Sequence, residues 1–230
     1  MMQLYLSKIV VKFKWILKEV RFLSKLNNQK FANLPNVISF LALFLSWIGI
    51  ILLLNKQFYF SFAIILIAFI LDAFDGFLAR KLEQETDFGR YLDSHVDVFI
   101  YLLYPALCFY FFFELKDVIS LIVIFIYLAA GILRLVRFNL TGFLSYSDKN
   151  YEAYSGLPVF FNHLPLLVFL ILKLYEIKYF CLATNIIILV NSILMLSKFP
   201  FPKPKNIWPF VILLLLLSCM MAYLGIYASY

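Results

Sequence analysis

The chain has 230 residues, of which 64% are apolar and 20% aromatic, with a mean hydropathy of +0.93. A soluble domain of this size carries far less apolar surface, so these values exclude a water-soluble globular protein. The net charge of +7 reads, in such a chain, as a face set against anionic lipid and cytoplasm, with no nucleic-acid partner.

From Met1 to Lys30, Ile9, Phe13, Ile16, Val20 and Leu23 recur at helical spacing, and Lys14, Lys18, Arg21 and Lys25 occupy the opposite face. This predicts a basic amphipathic interfacial helix over residues 1–30. Lysines interrupt it throughout, and it lacks the apolar core and small-residue cleavage site of a signal peptide. Apolar runs then predict membrane spans at Pro35–Leu54, from Phe58 into the Asp72–Arg80 segment, Phe88–Phe113, Val118–Asn139, Leu157–Leu172, Tyr179–Leu196 and Ile207–Tyr227. The fold class expected is an all-α integral membrane bundle of six core helices (domain 31–200) plus a C-terminal seventh (201–230). Cys108, Cys181 and Cys219 all fall in apolar runs without a CxxC pair and read as buried small hydrophobes. His163 reads as a satisfied buried histidine, and His95 as a packing residue.

Loop charge predicts the orientation. The N-terminus and the loops after spans two, four and six carry sixteen of the 20 Lys and Arg residues. These segments are therefore expected in the cytoplasm, with the N-terminus inside.

One stretch carries the chemistry. Asp72 and Asp75 are three apart, and Asp93 and Asp97 four apart, so each pair shares a helix face. Each acid deep in a membrane helix costs roughly 2.5–3.5 kcal/mol on insertion scales, so four without a partner would be very unfavourable. Hard divalent cations are the expected partner. Gly76, Ala79 and Gly89 leave room for a bulky ligand or for close helix packing. Arg80 ends its helix with a planar cation suited to phosphate. Four carboxylates holding two metals around a diphosphate suggest phosphoryl transfer at the lipid–water boundary. Intramembrane acids also mark ion pathways, so a cation transporter is the competing reading from spacing alone.

The pattern D-x2-D-G-x2-A-R-x8-G-x3-D-x3-D, at Asp72, Asp75, Gly76, Ala79, Arg80, Gly89, Asp93 and Asp97, resembles the signature of the CDP-alcohol phosphatidyltransferase family at every position. The resemblance implies Mg²⁺ or Mn²⁺ (two divalent metals), held by Asp72, Asp75 and Asp93, with Asp97 near the second metal and acting as general base. It implies attack of an alcohol on the lipid-bearing phosphorus and departure of CMP. Asn36, beside Pro35 and Ser39, resembles the family's opening of the first span, where the amide approaches the nucleotide.

Further segments point to one branch. Gly131-Ile-Leu-Arg134-Leu-Val-Arg137-Phe138-Asn139, Gly156-Leu157-Pro158 and Ser197-Lys-Phe-Pro200 are similar to segments of the phosphatidylserine synthase branch. Arg134, Arg137 and Asn139 would then hold the acceptor's carboxylate and a phosphate. The implied substrates are CDP-diacylglycerol, or an archaeal equivalent, and L-serine, in a homodimer of the cell membrane. Val159, Phe160 and Phe161 stand where that branch has small residues. A sister enzyme acting on glycerol 3-phosphate or inositol phosphate is the nearest alternative.

Overall fold

The computed structural model describes residues 33–142, 144–146, 151–176, 178–202, 206 and 208–228. The expected interfacial helix over residues 1–30 lies outside them.

Helix α1 (Leu34–Leu54) starts where the Asn33 side chain accepts from the Asn36 amide at 2.9 Å, with Pro35 in the first turn. This satisfies an otherwise orphaned N–H, and proline there loses no helical bond. A short turn leads to α2 (Phe58–Lys81). The two helices pack closely because Gly49 has no side chain. A Cβ there would sit 2.7 Å from Ile65 Cγ1. Ser61 Oγ donates to the Gly49 carbonyl at 2.6 Å across the same seam.

Helix α3 (Asp87–Asp97) is capped by Thr86, whose hydroxyl accepts from the Gly89 amide at 2.9 Å. It continues through a π-helical turn (Val98–Leu103) into α4 (Tyr104–Phe111), making one rod of 25 residues. Pro105 explains the irregular turn: it has no N–H to return to the Tyr101 carbonyl four residues earlier. Helix α5 (Val118–Thr141) is capped by Asp117. After a 3₁₀ turn (Val159–Asn162) come α6 (His163–Leu174), α7 (Phe180–Leu196) and α8 (Trp208–Ala228).

Among the described residues, five helical stretches are long and apolar enough to cross a membrane: α1, α2, the α3–α4 rod, α5 and α8. The expected fifth and sixth spans correspond to the shorter apolar helices α6 and α7, of 12 and 17 residues. At ~1.5 Å per residue each is shorter than a hydrocarbon core of about 30 Å.

The all-α expectation needs one correction. A three-stranded antiparallel sheet, β1 (Leu144–Tyr146), β2 (Tyr151–Ser155) and β3 (Pro200–Pro202), joins the loops after α5 and α7 in the order β1-β2-β3. Two prolines confine β3 to an edge, because neither can donate to a further strand.

The core centres on Phe62, Ile65 and Leu66 of α2, Ile100 to Tyr104 of the rod, Tyr127 of α5 and Leu166 and Phe169 of α6. Lipid is as apolar as leucine, so close packing and polar stitches hold such helices together. Ser218 Oγ donates to the Ala63 carbonyl at 3.0 Å, joining α8 to α2. Asn185 Nδ2 donates to Ser120 Oγ at 2.8 Å, joining α7 to α5. Each such bond contributes about 0.6 kcal/mol in a bilayer. The outward faces carry large apolar residues, Phe44, Phe125 and Leu216 among them. That explains a second correction: Cys108 is buried as expected, but Cys181 and Cys219 are exposed.

Candidate active site

The ends of α1, α2 and α5 and the start of α3 converge on the aspartates. Helical spacing puts Asp72 and Asp75 on one face of α2, and Asp93 and Asp97 on one face of α3. Carboxylate oxygens of Asp72, Asp75 and Asp93 all lie within 4.8 Å of one another. Asp97 stands one turn further along α3 and faces the same charges. Among the described residues the one side-chain ion pair within 4 Å joins Arg90 to Asp87. The four acids therefore sit together with no cationic side chain in contact.

Hydroxyls donate to two of them. Ser39 Oγ donates to Asp75 Oδ2. Tyr101 Oη donates to Asp72 Oδ2 at 2.7 Å, while Asp72 Oδ1 is buried without a partner among the described residues. An unpaired carboxylate oxygen in such a place is costly. Its position among converging carboxylates, all hard oxygen donors, fits a divalent cation such as Mg²⁺ or Mn²⁺.

The small residues surround this cluster. Gly89 abuts the buried Asn36, and a Cβ there would come within 2.9 Å of Asn36 Oδ1. Gly76 lies under Arg80, whose Nη1 would be 3.6 Å from an added Cβ. Ala79 is half-buried, and Arg80 is exposed at the helix end.

From α5, Arg134 is buried, with Nε lacking a hydrogen bond among the described residues. Its guanidinium lies over the rings of Phe138 and Tyr154, 5.2 and 5.6 Å from their centroids, and within electrostatic reach of Asp97. Asn139 Oδ1 accepts from Ser94 Oγ at 3.0 Å, tying α5 to α3. Arg137 is engaged differently from the expected ligand role. It donates to the carbonyls of Leu196, Ser155 and Met195 at 2.9, 2.6 and 2.8 Å. It thus clamps the loop around Gly156, whose φ of +79° and approach to the Ser197 carbonyl leave no room for a side chain.

The histidines stand apart from this chemistry. His95 is exposed, with Nδ1 2.6 Å from the Tyr91 carbonyl. His163 is buried against the rings of Phe62, Phe69, Tyr101 and Tyr104. It is buried as expected, with a loose polar contact to the Phe160 backbone and no well-formed hydrogen bond at either ring nitrogen among the described residues. Tyr101 and Ser94 escaped the sequence reading. The available signal for Tyr101 was a hydroxyl four residues after Asp97 in a Phe/Leu-rich run.

Comparison with known proteins agrees with this geometry. The family described as CDP-alcohol phosphatidyltransferase matches residues 32–228. The CDP-diacylglycerol–serine O-phosphatidyltransferase of Methanocaldococcus jannaschii is 32% identical over 146 residues, covering 64% of this chain and 65% of that protein. The protein of the same description from Helicobacter pylori is 26% identical over 217 residues, covering 85% of this chain and 88% of that protein. The CDP-diacylglycerol–glycerol-3-phosphate 3-phosphatidyltransferase of Aquifex aeolicus is 29% identical over 165 residues, covering 71% of this chain and 90% of that protein. With the signature intact and the match running through nearly every described helix, the chain belongs to the CDP-alcohol phosphatidyltransferases, enzymes of phospholipid biosynthesis.

Proposed function

We propose that the enzyme transfers the phosphatidyl group of CDP-diacylglycerol to the hydroxyl of L-serine, giving phosphatidylserine and CMP. The observation that carries this reading is the convergence of Asp72, Asp75 and Asp93 within 4.8 Å without a cationic side chain in contact. Bound divalent cations, two in this reading, would neutralise the diphosphate and the charge that develops on phosphorus.

The chain's own residues would act as follows. Asp72, Asp75, Asp93 and Asp97 hold the cations. The serine oxygen bonds to the lipid-bearing phosphorus, the bond from that phosphorus to the CMP oxygen breaks, and Asp97 takes the hydroxyl proton. Gly76 and Ala79 leave space for the nucleotide diphosphate beside Arg80, and Gly89 lets α3 close on Asn36, whose amide flanks the nucleotide. Arg134 receives the serine carboxylate, with its unpartnered Nε as one donor. Asn139 braces α5 against α3 through Ser94. Arg137 serves this pocket by holding its wall, since its donors are on backbone carbonyls.

Serine as acceptor is supported by the relatives of M. jannaschii and H. pylori and by the Arg134–Asn139 and Gly156–Pro158 segments. A second reading, glycerol 3-phosphate as acceptor, is favoured by the A. aeolicus relative and by the guanidinium beside the acids. We further propose seven spans in a homodimer of the cell membrane. In that arrangement α6 and α7 complete the six-span core of residues 31–200, and the N-terminus and the acids face the cytoplasm. Sixteen of the 20 cations fall on that side.

The test is CMP release by purified protein with CDP-diacylglycerol, Mn²⁺ and each acceptor in turn. Serine-dependent release is expected. Release with glycerol 3-phosphate or inositol phosphate and none with serine would contradict the serine assignment.

A further inference from the structure

Tyr101 lies in the π-helical turn one step beyond the last aspartate, and nothing in the signature draws attention to it. Its side chain and its carbonyl face two different networks. The hydroxyl donates to Asp72 Oδ2 at 2.7 Å, which leaves Asp72 Oδ1 as that residue's free oxygen. The ring is 2% exposed and wedged edge-on against Phe69 and His163, with centroids 4.7 and 5.5 Å away.

The carbonyl cannot bond to residue 105, because Pro105 has no N–H. It accepts instead from Tyr127 Oη of α5 at 2.8 Å and from Asn162 Nδ2 at 3.0 Å. Asn162 Oδ1 in turn accepts from Asn191 Nδ2 of α7 at 2.7 Å. Thus α5, the 3₁₀ turn and α7 all fasten the backbone of the residue that orients Asp72. A π turn beside a functional cluster frees backbone groups of this kind, and groups that orient a ligating carboxylate tune metal affinity.

We propose that Tyr101 is a positioning residue of the metal site: it fixes the rotamer of Asp72 so that Oδ1 points at the cation, and Pro105, Tyr127, Asn162 and Asn191 hold it there. This rests on the proposed metal role of Asp72.

The test is Mn²⁺ binding without substrate, followed by the electron paramagnetic resonance signal of free Mn²⁺ as purified protein is titrated. Tyr101→Phe keeps the ring and removes the hydroxyl. It should weaken Mn²⁺ binding by about 10- to 100-fold. Tyr104→Phe removes a buried hydroxyl on the same rod that is paired with Ser61, and its Mn²⁺ affinity should match the wild type. Wild-type affinity in Tyr101→Phe, or an equal loss in Tyr104→Phe, would overturn the proposal. Wild-type protein that binds no Mn²⁺ would overturn the metal reading itself and this proposal with it. Should Tyr101→Phe not yield folded protein, 3,5-difluorotyrosine at position 101 keeps the shape and makes the hydroxyl a stronger donor. Mn²⁺ affinity must then shift, and an unchanged value would count against the assignment.

Discussion

The two ends of α5, a helix of 24 residues, each meet acid, and the acids are used in opposite ways. At the N-terminal end Asp117 is exposed and fully engaged. It accepts from the Ser120 amide and hydroxyl at 3.0 and 2.5 Å and from Cys181 Sγ at 3.3 Å. Ser120 hydrogen bonds hold its carboxyl below the ordinary aspartate range. That is a helix cap: one charge, water outside, donors at hand. At the C-terminal end Asp72, Asp75 and Asp93 converge, with Asp97 one turn further along α3, beside the buried Arg134, and hydroxyls donate to Asp72 and Asp75. A fold gains nothing from concentrating like charges away from water. The contrast separates an acid that serves the helix from acids that, in the function proposed above, hold a metal.

Four substitutions would break or sharpen this contrast. The largest effect is expected for Asp97→Asn, which keeps the shape and removes the proposed base: CMP release should fall about 10²- to 10⁴-fold. Asp117→Asn, at the other end, should leave release unchanged. A comparable loss from Asp117→Asn would erase the distinction between the two ends. Next is Arg134→Lys, which replaces a fork by a point charge. It should cost about 1.5–3 kcal/mol, roughly 10- to 100-fold in kcat/KM for the acceptor. The KM for CDP-diacylglycerol should stay near its wild-type value, as initial rates with each substrate varied would reveal.

Between the two ends lies Gly131, where α5 touches the π turn. A Cβ there would meet Leu102 Cδ2 at 2.2 Å, an overlap that requires side chain or backbone to move. Gly131→Ala should destabilise the protein by about 1–3 kcal/mol, seen as a lower Tm in detergent. The smallest effect concerns pH. Because the folded Asp117 carboxyl sits below its unfolded value, its contribution is present above about pH 3.9 and is lost as pH falls through the folded value. Asp117→Asn should remove that part of the acid dependence of Tm. An unaltered Tm-against-pH curve would mean the cap is idle.

The signature acids were legible because side chains that share a helix face recur at fixed spacings, and spacing is what a sequence displays. The apolar helices were legible too, because long apolar runs have few other uses. Length within a run is less informative, and α6 and α7 proved shorter than the others. Apolar pattern also cannot separate a position facing lipid from one facing protein, which is why Cys181 and Cys219 were misplaced. The sheet depends on β3 returning to β2 from more than forty residues away, and no local propensity encodes that pairing. Arg137 shows the same limit. Its charge was visible, but the carbonyls of Ser155, Met195 and Leu196 reach it only after the loops fold back. The hydroxyl of Tyr101 reaches Asp72 across 29 positions, through a π turn that Pro105 alone hints at.

The most direct test of the central claim is anomalous diffraction at the manganese edge from crystals soaked in Mn²⁺. A peak bounded by the carboxylates of Asp72, Asp75 and Asp93, with a second beside Asp97, is the result expected. Crystals that diffract well and show no manganese at these aspartates, or manganese only at Asp117, would contradict it.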